Sequence, residues 1–224
     1  MTHFGGKIIT FSGIDGAGKS TQINLFLNYL KRINVRPVYL WTRGGYTGPF
    51  NSLKRVFRRL LGKRLPPPGR SLQREQVFGR PLVRKTWLFL AIIDLILVYG
   101  VYVRFCKIIG RVVLADRYLW DTWIDFRLNF PQESTDRWFV WRLLLKLTPK
   151  PDSAFLLVVP VEDSLLRSKQ KNEPFPDSEE VLRSRLCAYE TLASSIEWHK
   201  IDCILPVQKI HQDLLVASGY PPCE

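Results

Sequence analysis

Short runs of consecutive apolar residues recur along the chain, and between them lie longer segments in which apolar positions return every three or four residues. The short runs are typical of buried strands, and the longer segments of amphipathic helices. We interpret five runs as strands, and these are 7–11, 36–42, 111–115, 153–159 and 199–205. Because strands and helices alternate, the pattern predicts an α/β fold with a five-stranded parallel sheet and helices on both faces.

Helices are predicted wherever the apolar positions follow a helical period. They cover 20–31, 51–61, 86–109, 120–130, 135–147, 180–196 and 207–217, and one more begins after Pro160. Two segments lack that period: 62–73 contains the run LPPPG, and 169–180 is polar with two prolines. We interpret the first as part of an insertion and the second as a loop. A chain of 224 residues suits one domain, so we expect a single domain over 1–224.

One apolar run has the length of a short membrane span. Residues 86–103 separate Lys85 from Arg104 without a basic residue between them, and this length is at the lower limit for crossing a bilayer. Asp94 lies near the middle of the run, and a carboxylate at that depth in a membrane is costly. We therefore predict a helix buried beside the sheet, with a membrane-spanning helix as the alternative.

The net charge of +13 is concentrated in the first half of the chain. Residues 1–111 carry 20 Lys and Arg residues against three acids, and the block 51–85 alone has 11 basic residues and one acid. Such a block attracts polyphosphates, nucleic acid or an anionic membrane surface. A solvated basic surface accounts for it equally well, and both interpretations stay open.

The four cysteines are widely spaced and form no C-x-x-C pair or zinc pattern with the three histidines. We interpret them as reduced thiols of a cytosolic protein. The residues before the first predicted strand are too few for a signal peptide. These observations predict a cytoplasmic protein.

A phosphate-binding motif follows the first predicted strand. Gly13 to Ser20 matches G-x-x-x-x-G-K-[ST] at every fixed position, and a predicted helix comes next. In such a loop backbone N–H groups bind phosphate oxygens, Lys19 reaches the β- and γ-phosphates, and the Ser20 hydroxyl binds Mg²⁺. The predicted ATP-binding residues are Gly13, Asp15, Gly16, Ala17, Gly18, Lys19, Ser20 and Thr21. The alternative is a glycine turn that happens to contain Lys-Ser.

The motifs that accompany the loop indicate a kinase. No N-K-x-D motif, which guanine-binding switch proteins use, is found in the sequence. Instead the chain contains, in this order, KIITFSGIDGAGKSTQ, TRGG, GRVVLADRY and PDSAFLLVVPVEDSLLR. With these motifs, from about Lys7 to Ala217, the sequence resembles the thymidylate kinase family of P-loop nucleoside monophosphate kinases. The resemblance implies the P-loop kinase fold, ATP and Mg²⁺ as cofactors and, as is common in the family, a homodimer.

The resemblance also implies roles for residues by their position. Asp15 would contact a hydroxyl of the acceptor's sugar, which explains a carboxylate in a phosphate-binding loop. Arg43 and Arg117 would bind the acceptor's phosphate, and Asp116 would lie near Mg²⁺ and its waters. The family uses one more cation over the transferred phosphoryl group, from the loop or from a mobile lid, here at about 167–180.

The cation of the lid has three candidates. Position 17 is Ala, so the loop itself supplies no cation, and the candidates are Arg167, Lys169 and Lys171. Arg167 matches the family's position best. The alternative is an exposed helix end whose basic residues favour the helix dipole. The predicted catalytic set is therefore Lys19, Asp15, Asp116, Arg117 and Arg167.

The acceptor side departs from the family pattern. Phe89 can stand for the aromatic residue that stacks on thymine, but Asp94 and apolar residues occupy the region of an expected arginine. After Asp-Arg-Tyr the chain reads LWDTWIDF, so that Asp121 and Asp125 replace hydroxyl and amide side chains. We predict that the acceptor is bound by Arg43, Phe89, Asp94, Arg117 and Asp121. The alternative makes Asp94 a hydrogen-bonded core residue and Asp121 a helix cap.

Three functions remain open, in order of preference. The first is an ATP-dependent phosphotransferase that moves the γ-phosphate to a nucleoside monophosphate of the dTMP type. The second keeps this donor chemistry with a hydroxyl acceptor, such as a sugar, a glycan or a lipid-linked alcohol at a membrane surface, with Asp15 or Asp116 as base. The third is a nucleotide-binding protein without turnover. We expect no specific nucleic acid partner, and consider peripheral contact with the inner membrane surface through 51–85.

Overall fold

The computed structural model describes residues 6–42, 72–171 and 177–222, and of 72–75 it describes the backbone alone. Several predictions therefore lie outside the described residues. They concern Arg43, the helix over 51–61, most of the basic block 51–85 and the middle of the loop 169–180.

The sheet has five parallel strands in the order β2-β3-β1-β4-β5. Its apolar central strands are buried on both faces, as expected where helices cover a parallel sheet. This arrangement confirms the predicted P-loop kinase fold class. The strands are β1 (Ile8–Ser12), β2 (Val38–Trp41), β3 (Val113–Asp116), β4 (Ser153–Val158) and β5 (His199–Asp202).

Eight helices lie among the described residues, together with a 3₁₀ turn at Thr135–Arg137. The last helix has the predicted bounds, and most of the others differ from prediction by a few residues. They are α1 (Lys19–Arg32), α2 (Leu72–Gly79), α3 (Pro81–Ile108), α4 (Leu119–Asn129), α5 (Phe139–Leu147), α6 (Val161–Gln170), α7 (Glu179–Ala193) and α8 (Val207–Ala217).

Three helical features differ from the prediction. Helix α2 includes residues 72–73, which were assigned to the linker-like stretch. Helix α3 begins at Pro81 instead of Thr86, because proline is well tolerated in the first helical turn. The predicted helix 135–147 is interrupted at Trp138, whose extended ψ of 142° separates the 3₁₀ turn from α5.

Helix α3 carries the apolar run that could have spanned a membrane. It is long and apolar enough to do so, but 56% of its most apolar window is buried inside the protein. Leu88, Leu95 and Tyr99 pack with β3 and α5 in one of two core clusters. The structure therefore places this helix beside the sheet, and Gly110, two residues after its last residue, has a left-handed φ of +77°.

The chain order puts a crevice at the carboxyl ends of β1 and β3. Strand β1 lies between β3 and β4, so the connections that leave these strands diverge to opposite sides of the sheet. In open α/β sheets such a switch point is where ligands bind. The phosphate-binding motif follows β1 directly and Asp116 ends β3, so both meet in this crevice.

Candidate active site

The phosphate loop joins β1 to α1 through glycines that no other residue could replace. Gly13 has φ +138°, and a Cβ there would lie 2.4 Å from the carbonyl oxygen of Leu157. Gly16 has φ +77°, and its Cβ would lie 2.7 Å from the carbonyl oxygen of Ser164. The loop thus leads its backbone N–H groups into the start of α1, where a helix N-terminus favours anions.

Lys19 lies across the loop that it follows. Its ammonium donates to the carbonyl oxygens of Gly13 (2.9 Å) and Ile14 (2.8 Å). Burial, and next the charge of Arg117, lower the pKa of Lys19 to about 8. An anionic ligand would restore the charged form, so this side chain fits a site that receives a polyphosphate.

A cleft of about 150 Å³ opens over the loop. It brings together most of the residues that the sequence assigned to catalysis and phosphate binding. Its lining consists of Asp15, Gly16, Gly18, Lys19, Ser20, Trp41, Asp116, Arg117 and Lys171.

One carboxylate oxygen of Asp116 accepts a hydrogen bond, and the other accepts none from the described residues. The Tyr39 hydroxyl donates to Oδ2 at 3.3 Å, whereas Oδ1 is buried and has no hydrogen-bond partner among the described residues. Burial raises the pKa of Asp116, and the charges of Lys19 and Arg117 oppose this effect. The carboxylate is therefore available to a cation or to a proton from a ligand.

Mg²⁺ fits this cleft through oxygen ligands. No group of three His, Cys, Asp or Glu side chains in the described part of the chain could hold a metal alone. Ser20 is exposed and lines the cleft together with Asp116. Mg²⁺ commonly takes one or two protein oxygens and completes its shell with phosphates and water, so these two residues are of the kind that could hold it.

Arg117 has a strained backbone that its neighbours hold in place. Its φ of +71° is left-handed, which costs a residue with a Cβ about 1–2 kcal/mol. Its N–H donates to the carbonyl oxygen of Phe11 (3.0 Å), and its carbonyl oxygen accepts from the Thr42 hydroxyl (2.9 Å). This turn directs the buried guanidinium back towards the phosphate loop.

Asp15 connects the phosphate loop to that guanidinium. Its carboxylate forms an ion pair with Nη2 of Arg117, and its backbone oxygen accepts from the Ser164 hydroxyl (2.6 Å). Nη1 of Arg117 is buried, makes no hydrogen bond among the residues described and lies 4.0 Å from the Asp121 carboxylate. Asp15 and Arg117 both line the cleft, where an oxyanion would gain a charged partner.

Asp121 is not among the residues that line the cleft, and it hydrogen-bonds instead to residues behind that lining. Its side chain is 1% exposed and accepts hydrogen bonds from Ser12 Oγ (2.7 Å), the Tyr118 N–H (2.9 Å) and the Tyr189 hydroxyl (2.6 Å). It caps α4 and lies 4.0 Å from Nη1 of Arg117. The structure thus corrects its assignment as a substrate contact and favours the alternative of a helix cap.

The other predicted acceptor residues are not brought together. Asp94 is 4% exposed within α3 and lies outside the cleft lining, which favours the core alternative for it. Phe89 is 44% exposed, and five positions along a helix turn it to a different side from Asp94. Asp125 is buried in an ion pair with Arg185, which also binds Asp177.

A second cavity of about 280 Å³ lies on the other side of the loop and separates the three lid candidates. Arg167 lines this cavity, and its guanidinium donates to the carbonyl oxygens of Cys203 (2.9 Å) and Gly16 (3.4 Å). Lys171 lines both cavities, and Lys169 lines neither. Of the three candidates, Lys171, which directly follows α6, is the one that lines the phosphate cleft, and the catalytic role of Arg167 stays a prediction.

Sequence reasoning missed two aromatic residues at the edge of the sheet. Trp41 pairs in register with Asp116 and lines the cleft, and Tyr39 donates to the same carboxylate. The alternation of exposed and half-buried positions in β2 places both on one face, next to the end of β3. Tyr189, which supports Asp121, comes from a distant helix and carries no signal in the sequence.

Comparison with known proteins gives matches to thymidylate kinases over nearly the whole chain. The chain is 26% identical over 224 residues to a thymidylate kinase of Desulfotalea psychrophila, with 96% of each chain covered. A thymidylate kinase of Prochlorococcus marinus is 25% identical over 219 residues, which cover 93% of this chain and 94% of the relative. No family model matches the chain.

Solved structures of nucleotide and nucleoside kinases share the fold. The crystal structure of thymidylate kinase from Ehrlichia chaffeensis superposes with a TM-score of 0.56 over 95% of this chain and 97% of that one. The two sequences are 19% identical, so this likeness concerns the fold alone. The chain is therefore a P-loop kinase related over nearly its whole length to the thymidylate kinase family, which confirms the resemblance predicted from its motifs.

Proposed function

We propose that the protein transfers the γ-phosphoryl group of Mg-ATP to a nucleoside monophosphate of the dTMP type. One observation carries the proposal. A single cleft over the phosphate loop is lined by Lys19, Arg117 and Asp116. These groups suit, in turn, a donor phosphate, an acceptor phosphate and a metal-bound or hydroxyl ligand.

The reaction follows from these positions. An oxygen of the acceptor phosphate attacks the γ-phosphorus, the bond from that phosphorus to the bridging β-oxygen breaks, and ADP leaves with the electron pair. Lys19 binds the donor phosphates, and Arg117 holds the acceptor phosphate in line with them. Lys171, which directly follows α6, adds positive charge at the cleft. Ser20 and Asp116 would hold Mg²⁺, which would neutralise charge on the phosphates.

The experiment is ADP release from Mg-ATP by the purified protein with dTMP, dUMP, UMP and CMP. We expect rapid turnover with one of these acceptors and none with the Lys19→Ala variant, which lacks the phosphate-binding cation. ATP hydrolysis that ignores every nucleotide would contradict the nucleotide acceptor, although the donor site would remain supported.

A hydroxyl acceptor is the second candidate, and Asp116 is the observation that favours it. Burial raises the pKa of Asp116, and a carboxylate with a raised pKa and a free oxygen suits a base that takes a hydroxyl proton. A phosphate acceptor is already ionised at neutral pH and needs no such base. The Arg43→Ala and Arg117→Lys variants separate the two candidates, because both should raise the KM of an acceptor only where that acceptor carries a phosphate.

The predicted partners and location are part of this proposal. A homodimer has a candidate contact surface on α3, where Leu97, Val101, Phe105 and Ile108 are exposed. Most of the block 51–85, through which membrane contact was predicted, lies outside the described residues, so this contact stays a prediction. The same holds for a cytoplasmic location.

A further inference from the structure

Tyr99 is a buried polar residue in the π-helical part of α3. The segment Ile96–Val103 forms this part, and π-helical turns inside α-helices are frequent at functional sites. Tyr99 is 0% exposed, and the centroid of its ring lies 4.5 Å from that of Tyr118. Burial raises the pKa of its hydroxyl, which therefore keeps its proton and acts as a hydrogen-bond donor.

The Tyr99 hydroxyl begins a chain of two hydrogen bonds that ends at Arg117. It lies 2.7 Å from Oγ1 of Thr42, the residue that follows β2. Thr42 donates its single hydroxyl hydrogen to the carbonyl oxygen of Arg117 (2.9 Å), because a carbonyl oxygen can only accept. The bond between the two hydroxyls must therefore run from Tyr99 to Thr42. Both side chains are fully buried, so water does not compete for either bond.

This chain of hydrogen bonds reaches Arg117 where its backbone is strained. A left-handed φ of +71° persists in a residue with a Cβ only where the surrounding structure holds it. The N–H of Arg117 is held by the carbonyl oxygen of Phe11 (3.0 Å), and its carbonyl oxygen is held by Thr42. These two bonds fix the peptide groups on either side of the Arg117 Cα, and with them the direction of its side chain.

We propose that Tyr99 is a positioning residue, which orients the guanidinium of Arg117 for the acceptor's phosphate through the Thr42 hydroxyl. The inference rests on the proposed role of Arg117 in binding that phosphate. Tyr99 and Thr42 line neither the phosphate cleft nor the second cavity. Their hydroxyls therefore act on the acceptor through Arg117, and the binding of ATP does not depend on them.

Steady-state kinetics with Mg-ATP and the preferred nucleotide acceptor test this inference. Tyr99→Phe keeps the ring and lacks the donor, so the KM of the acceptor should rise about threefold to tenfold. The KM of ATP should stay within about twofold of the wild-type value. Thr42→Val breaks both hydrogen bonds and should raise the acceptor's KM at least as much. Thr42→Ser keeps the hydroxyl and should stay within about twofold of the wild type.

Tyr118→Phe is the matched control, because it removes the hydroxyl of another buried tyrosine that packs on Tyr99. The Tyr118 hydroxyl donates to the carbonyl oxygen of Pro149 (3.0 Å), not to Thr42. The control should lose thermal stability without a change in the acceptor's KM. In an Arg117→Lys background, Tyr99→Phe should change that KM less than about twofold, because the guanidinium is absent. An unchanged acceptor KM in Tyr99→Phe and Thr42→Val, or an equal rise in Tyr118→Phe, would overturn the inference.

The exchange rate of the Arg117 amide hydrogen, measured by NMR, needs no turnover. It should be at least about threefold faster in Tyr99→Phe and Thr42→Val than in the wild type and in Tyr118→Phe, because a looser turn exposes the bond to Phe11. If the wild type turned over none of the four nucleotides, the proposed function would fail. Faster exchange would then still support the hold of Tyr99 on Arg117, and unchanged exchange would overturn it.

Discussion

At the scale of single residues, the partners of a carboxylate decide its role. Asp116 and Asp121 are both buried, and they are five positions apart. Three donors satisfy Asp121, whereas Asp116 keeps an oxygen without a partner among the described residues. From the sequence both could be site residues, and only the bond from the Tyr118 N–H to Asp121 is a local capping contact. The other bonds come from β1, β2 and α7 and depend on tertiary contacts that no local pattern encodes.

The Tyr39 hydroxyl should tune the carboxylate that it contacts. Its hydrogen bond favours the charged form of Asp116 and lowers a pKa that burial, the largest effect, raises. Tyr39→Phe should therefore raise the pKa of Asp116 further. The acid limb of kcat/KM should move to higher pH, and kcat/KM on that limb should fall below the wild-type value. The measurement is a pH–rate profile with the preferred acceptor.

Tyr102→Phe is the matched control for this substitution. Tyr102 is a half-exposed tyrosine on α3 and lies outside the cleft lining. Its variant should reproduce the wild-type profile. An unshifted acid limb in Tyr39→Phe would mean that Asp116 does not need to be ionised for turnover, or that Tyr39 does not reach it during the reaction.

At the scale of elements, the position of a residue around its helix axis decides which cavity it lines, and residue type alone does not. Arg167 of α6 and Lys171, which directly follows that helix, are four positions apart and each lines a cavity, whereas Lys169 lines neither. On α3, the segment Ile96–Val103 is π-helical, which rotates the positions that follow it relative to a regular α-helix. Hydrophobic periodicity predicted this helix but not the π-helical segment, so the faces of its two halves could not be aligned from sequence.

Lys171 should carry the catalytic charge of α6. Lys171→Ala removes a cation that lines the phosphate cleft, and kcat should fall about tenfold or more with little change in thermal stability. Arg167→Ala should lower kcat less, since Arg167 donates to the carbonyl oxygens of Gly16 and Cys203 and does not line that cleft. Steady-state kinetics of both variants test this assignment.

The Lys169→Ala variant is the control for the loss of one positive charge in this segment. Lys169 is exposed, and its loss should change kcat less than about twofold. If Arg167→Ala lowered kcat more than Lys171→Ala did, the family-based assignment of Arg167 would be restored and the geometric one would fail.

The packing of α1 against α8 should weaken in acid. His211 is 8% exposed between the rings of Phe26 and Tyr29, and burial lowers its pKa below 6.5. The neutral ring is thus the stable form in the fold, and stability is lost as the pH falls below 6.5 towards the lowered pKa. Urea unfolding at pH 7.5 and pH 5 should show a smaller loss for His211→Phe than for the wild type.

His199→Gln is the control for general acid effects. His199 is exposed on β5, and its replacement should leave the acid loss of stability as it is in the wild type. If His211→Phe and the wild type lost the same unfolding free energy between pH 7.5 and pH 5, other groups would be the cause of the acid sensitivity.

At the scale of the whole molecule, the fold follows from the sequence more fully than the site does. Alternating buried strands and amphipathic helices predicted all five strands of the parallel sheet, and the phosphate loop lies where the motif required. The strain at Arg117 and the support of Asp121 by Tyr189 arise from contacts between distant segments. Such contacts are set by the packing of the complete chain, and short motifs do not specify them.

The exposed face of α3 predicts self-association. Leu97, Val101, Phe105 and Ile108 recur at helical spacing and are each more than half exposed. A contiguous apolar surface of this kind is typical of an interface. Sedimentation should show a dimer for the wild type and a monomer for Val101→Glu. The Leu166→Glu variant, which changes an exposed residue of α6, should remain a dimer. A monomeric wild type that binds anionic vesicles would assign the face to a membrane instead.

The lowered pKa of Lys19 gives the empty protein an unusual chemistry. With a pKa of about 8, much of the population at mildly alkaline pH holds a neutral amine within the phosphate loop, where other lysines would be fully protonated. A neutral amine is a nucleophile, and acyl phosphates resemble the ligand that this loop accepts. Acylation of Lys19 by such a compound should therefore be slower when a bound nucleotide restores the charge of its side chain.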